Sequence, residues 1–70
     1  MMPLTLAGVG EENIIRKIGG KQEVRAHLEN LGFVVRGAVT VVSAIGGSVI
    51  VNVKDSRIAV SREMAQKIMV

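Results

Sequence analysis

The stretch from Val24 to Val53 limits the possible folds more than any other part of the chain. Val24 to Leu31 reads as a short amphipathic helix that breaks at Gly32 and is followed by Phe33. A turn at Arg36-Gly37 opens a valine-rich run, Val39 to Ile45, and Gly46-Gly47 folds that run back onto a second one, Val49 to Val53. A helix, a glycine stop, a turn and a tight hairpin in close succession describe a small barrel carrying one helix. Such a barrel has almost no interior left for a catalytic pocket, so what it offers is its surface. The default reading is a binding module.

Size and composition agree. A chain of 70 residues makes one domain, 1–70, near the lower limit for folding alone. At that length about 60% of the unfolded surface is buried. There is no cysteine, so neither a disulfide framework nor a thiolate site supports the chain. Stability must come from aliphatic packing, and 49% of the residues are apolar, with Phe33 the one aromatic among them. The segment before Gly10 has no basic residue ahead of an apolar run, so no secretory signal is read there. The most apolar stretch, Ala38 to Val51, is interrupted by Thr40, Ser43, Gly46-Gly47 and Ser48. Spanning a bilayer takes about 20 mostly apolar residues. The expectation is a soluble, cytosolic protein. The net charge of +3 is spread over nine basic residues with acidic ones between them. A basic balance can mean nucleic acid, an anionic membrane face or an acidic partner, but with no basic run the distribution favours a solvated surface.

The local pattern places the remaining elements. Asn13 to Ile18 reads as the first strand and is ended by Gly19-Gly20. The helix starts near Lys21, with Val24, His27, Leu28 and Leu31 on one stripe at i, i+3, i+4 and i+7. Gly32 fits the left-handed position past a helix end, and Phe33 then folds back as the centre of the core. In the hairpin, Val39, Val41 and Ser43 face one way and Thr40, Val42 and Ala44 the other. Asp55-Ser56 marks a turn before a strand at Arg57 to Val60, with Ile58 and Val60 inward. Ser61 is a cap for a short helical turn, with Glu63 well placed in its first turn. Lys67 to Val70 is placed to pair back with an early strand and close the barrel.

Taken in order, these residues resemble the FeoA family. The pattern begins with Leu6, Gly8 and Gly10, then Asn13 to Gly20, and continues through Arg25 to Phe33 and Gly37 to Val41. It ends with Arg57 to Ala65 and Ile68 to Val70. The resemblance covers nearly the whole chain. It implies a mainly β fold: a small SH3-like barrel of about five strands, with one principal α-helix and a short C-terminal helical turn. It also implies a non-catalytic role in bacterial ferrous iron uptake, as an accessory to the membrane GTPase permease FeoB. The protein would then lie in the cytoplasm, peripheral to the inner membrane through its partner. The same barrel closes iron-dependent repressors, so a regulatory or nucleic-acid-binding module is the alternative. The chain starts at Met1 with no helix-turn-helix before it, which favours a free-standing protein. One departure stands out. The family commonly has Pro-Gly where this chain has Arg36-Gly37. Gly37 is expected to keep the positive φ, so losing the proline should cost a few tenths to about 1 kcal/mol.

Candidate sites follow from what is left over. His27 has no evident serine nucleophile or orienting carboxylate, and Gly8-Val9-Gly10 lacks the lysine and hydroxyl of a phosphate loop. Glu23 and His27 are four residues apart and share a helix face, so together they offer a divalent transition metal two ligands. A competent site wants three or four. No cofactor is required, and any metal is expected to bind weakly or to bridge two chains. Alternatively, His27 simply edges the apolar stripe near the helix C-terminus. Single-strand binders stack bases on aromatics. With Phe33 expected in the core, no nucleic-acid partner is expected. A partner surface remains. Val34 and Val35 form an unusually apolar loop, and Met64 near the C-terminus adapts to irregular contacts. Arg25, Val34, Val35, Arg36 and Met64 are the expected docking residues, with completion of the core as the alternative for the apolar ones. Self-association stays open.

Overall fold

Gly46 takes φ 55°, a left-handed value that costs glycine nothing, and this turns β3 (Ala38–Ile45) back onto β4 (Ser48–Val53). The computed structural model describes residues 1–70. Ahead of the hairpin lie a 3-10 turn (Leu4–Leu6), β1 (Glu12–Ile14), β2 (Lys17–Ile18) and α1 (Gln22–Leu31). After it come β5 (Ser56–Ser61), α2 (Arg62–Ala65) and β6 (Ile68–Met69). One antiparallel sheet has the order β1-β3-β4-β5, and β2 pairs with β6 in a second. This is the expected small barrel, with six short strands. No helix is long and apolar enough to cross a membrane.

The extra strand arises where the expected first strand, Asn13 to Ile18, divides. Ile15 donates its N–H to the carbonyl of Gly37 at 2.9 Å, on the β3 side. Arg16 donates to Met69 at 2.8 Å, on the opposite side. The chain thus leaves one sheet and enters the other within two residues. Met2 and Val70 exchange two bonds of 2.8 Å, which ties the N-terminal segment beside β6. That tie seats Leu4 in the core.

The hairpin register differs from strict alternation. Val41 pairs with Val51, but the next pair is Ser43 with Ile50, leaving Val42 as a bulge. Ser43 therefore shares the side of Ile50, and Ala44 takes the side of Val49 but stays exposed near the end of the strand. The next turn is also one residue earlier than Asp55-Ser56. Lys54 and Asp55 are its central pair, at φ 49° and 63°, and Val53 pairs with Ser56. Two positive φ values define a type I′ turn, whose twist matches the flanking strands.

Helix α1 ends as its glycine predicts. Gly32 takes φ 110° and donates to the carbonyl of Glu29 at 2.9 Å, while Phe33 donates to that of Leu28 at 3.0 Å. These two bonds make a Schellman motif, and its apolar contact is supplied by Leu28 and Phe33, both fully buried. Leu28 is the helix's one buried residue, with Val24 and Leu31 partly buried against the core and His27 exposed. The helix therefore lies on the outside of the barrel. Ser61 Oγ accepts the Met64 N–H at 3.1 Å and caps α2, which seats Ala65 inside. All 14 buried residues are apolar, and Phe33 is the largest of those fully enclosed.

Candidate docking surface

An interior without one polar side chain leaves every charged or hydrogen-bonding side chain outside. Chemistry on this molecule is therefore surface chemistry. The most distinctive surface begins at the loop between α1 and β3. Gly37 donates to the carbonyl of Val34 at 2.9 Å, closing a turn whose central residues are Val35 and Arg36. Arg36, at φ 74°, takes the left-handed position. This corrects the reading of Arg36-Gly37 as the turn centre. The positive φ falls on Arg36 and not on Gly37. A proline cannot hold such a φ, so the turn chemistry of Pro-Gly belongs to positions 35 and 36, and both of its special residues are missing here. Gly37 is needed for a different reason: a Cβ there would lie 3.0 Å from both the carbonyl oxygen and Cγ2 of Val34.

The strained turn is fastened to the end of β1. Arg36 donates to the Ile15 carbonyl at 2.7 Å, and Ile15 donates in turn to Gly37. That clasp brings Val35 and Arg36 beside Ile14, Ile15 and Arg16, and the five line one open hollow. Ile14 is 47% exposed and Val35 52%; Leu6, Val9 and Ile45 are more exposed still but do not line this hollow, where two exposed aliphatic side chains meet two arginines. Ile14 and Arg16 also line a second hollow with Met1, Met2, Glu12, Asn13 and Val70. Ile14 and Arg16 thus stand between two neighbouring hollows, which together make the trough along β1. The side chains of Arg16 and Arg36 are exposed and make none of the three side-chain hydrogen bonds in the molecule.

The other expected site residues lie elsewhere. Val34 is half-buried beneath the turn. Arg25 lines a separate shallow hollow on α1 with Gln22, Ala26 and Glu29. Met64, on α2, is partly buried and packs against the core. Glu23 and His27 are both exposed on α1, and no third His, Cys, Asp or Glu gathers with them. Sequence reasoning passed over Ile14 and Arg16. The signal was the doublet Ile14-Ile15: neighbours on a strand face opposite ways, so one of the two must point outward.

A family model described as the FeoA domain matches residues 2–70. A protein of Methanocaldococcus jannaschii named "Putative Fe(2+) transport protein A" is 37% identical over 70 residues, spanning all of this chain and 85% of its own length. A crystal structure of an iron uptake regulatory protein, FeoA, superposes with a TM-score of 0.90 at 28% identity, over 99% of this chain and 92% of that one. The order of motifs, the barrel with its external helix and these matches agree: the chain belongs to the FeoA domain family.

Proposed function

We propose that this chain is a non-catalytic accessory of ferrous iron uptake, working in the cytoplasm by docking onto the cytosolic side of the FeoB permease. Its place in the FeoA domain family supports the link to iron transport. The observation that carries docking is the trough along β1, where Ile14 and Val35 are exposed between the unpartnered side chains of Arg16 and Arg36. Apolar side chains held out by a rigid backbone, with charge at the rim, are the usual makings of an interaction site. Phe33 is fully buried, which removes the one side chain on which a nucleobase would stack and disfavours the nucleic-acid reading. Glu23 and His27 supply at most two ligands, so a divalent metal binds them weakly or bridges two copies. Titration calorimetry with ferrous or zinc ions should show no tight one-to-one site. The main test is recovery of the tagged protein from membranes, with identification of what accompanies it. Co-recovery of the permease is the expected result. Recovery of nucleic acid in its place, lost at higher salt, would favour the regulatory alternative.

A further inference from the structure

The backbone of β1 has a free edge. Because Ile15 bonds to Gly37, and adjacent residues of an antiparallel pair alternate, Asn13 opposite Val39 also turns its N–H and C=O toward β3. Glu12 and Ile14 therefore turn theirs the other way. In the sheet order β1 is terminal, and no turn or loop bond uses the Glu12 or Ile14 backbone. Further along the same edge, β6 is already in place: Arg16 donates to Met69 at 2.8 Å, and Gly19 to Lys67 at 2.7 Å. Continuing that register sets Val70 beside Arg16. Val70 lines a hollow together with Met1, Met2, Glu12, Asn13, Ile14 and Arg16, so β6 and the outer side of β1 border the same space. No proline or bulge blunts the edge within β1.

We propose that this edge takes an extended segment of the partner as an added antiparallel strand in line with β6, bonded to the backbone of Ile14 and Glu12. The proposal rests on the docking reading above and specifies its mode. Main-chain bonds supply affinity and the flanking side chains supply selectivity. The incoming strand runs in the direction of β6, so it begins past Val70, opposite Ile15 and diagonal to Arg16, and its C-terminal end lies by Glu12. Charge complementarity then selects acidic residues first, an aliphatic centre against Met1, Ile14 and Val70, and a basic residue last. A second copy of this chain fits less well. Val70 occupies the place beside Arg16, which blocks the register that would set Glu12 of one copy against Arg16 of the other. Of the registers left open, one opposes Glu12 to another Glu12, setting like charges against each other, and the other opposes the Glu12 carboxylate to the exposed Ile14, where a partner strand offers an aliphatic side chain.

The test is a titration of the ¹⁵N-labelled full chain with the capped hexapeptide DEVTVK and with its charge-swapped counterpart KKVTVE. The expected result is saturable shifts and slowed amide exchange at Glu12 and Ile14 with DEVTVK, with KKVTVE weaker by roughly tenfold. Arg16→Glu should reverse that preference. Ile14→Pro deletes an N–H that β3 does not use and should abolish binding, and if it does not fold, the Arg16→Glu reversal decides. Failure to saturate by about 1 mM, shifts confined to α1, or equal binding of the two peptides overturns the proposal. So does self-association at this edge that excludes the peptide. In membrane recovery, undiminished capture of the permease by Arg16→Glu and by a folded Ile14→Pro would reject strand addition while leaving docking intact. If the unaltered protein captures no permease, the docking reading falls, and the peptide titration alone decides whether the edge accepts a strand.

Discussion

The carbonyl of Ile15 accepts the N–H of Arg36 at 2.7 Å, and this bond holds an arginine in the left-handed conformation at the tip of the docking surface. A non-glycine residue there carries about 1–2 kcal/mol of steric cost. Glycine removes that cost but adds about 0.5–1 kcal/mol of unfolded-chain entropy. Arg36→Gly should therefore stabilise the barrel, by about 0.5–1 kcal/mol, while weakening partner binding through loss of the charge. Thermal unfolding and a binding assay on the same variant would show the two effects moving in opposite directions.

The Lys54-Asp55 turn makes a parallel case without a proposed function. Both residues have positive φ, where Asn-Gly is the favoured pair. The double change Lys54→Asn, Asp55→Gly should raise stability by about 1 kcal/mol, or about 4–8 °C in Tm for a domain of this size. A lower Tm would mean that the two side chains make contacts of their own that outweigh the backbone gain.

Both turns show what the residues alone disclosed and what they hid. Glycine at a helix end is a strong signal, so Gly32 and the return of Phe33 were legible, as were the Gly46-Gly47 hairpin and the Ser61 cap. The same habit assigned the positive φ to Gly37 because it is glycine, whereas the clasp to Ile15 places it on Arg36. Ser43 was placed on the side of Val39 and Val41 because alternation is the default. The bulge at Val42 reverses it, and a bulge reflects how two strands fit together, which local composition does not record. The break after Ile14 has the same origin, since β1 and β2 are separated by their partners β3 and β6. The trough inherits this: Val35 and Arg36 were visible as an apolar-basic loop, but Ile14 and Arg16 join them only through the fold.

Ser61 accepts one helix N–H and seats α2 at the end of β5. Ser61→Ala should cost about 1 kcal/mol, and Ser61→Asp should recover most of it, because either oxygen accepts the Met64 N–H. Chemical denaturation of the two variants measures the difference. If Ser61→Ala is neutral, packing of Ala65 alone holds the turn.

Phe33 joins the Schellman motif to the centre of the barrel, fully buried against an all-aliphatic core. Phe33→Ala should cost about 3–5 kcal/mol, a large share of what so small a domain possesses, and the chain is expected to be largely unfolded at 37 °C. Phe33→Leu, which keeps most of the volume, should remain folded with a lowered Tm. Circular dichroism on the pair separates loss of the core from loss of the aromatic ring.

The most direct test of the account is how much permease the tagged protein recovers from membranes when Arg36 is reversed in sign. Arg36→Glu keeps the same turn strain and alters an exposed side chain, so its Tm should stay within about 4 °C of the parent. Recovery should fall by roughly tenfold. Equal recovery by a folded Arg36→Glu protein would contradict the claim that this face of the barrel is the one that works.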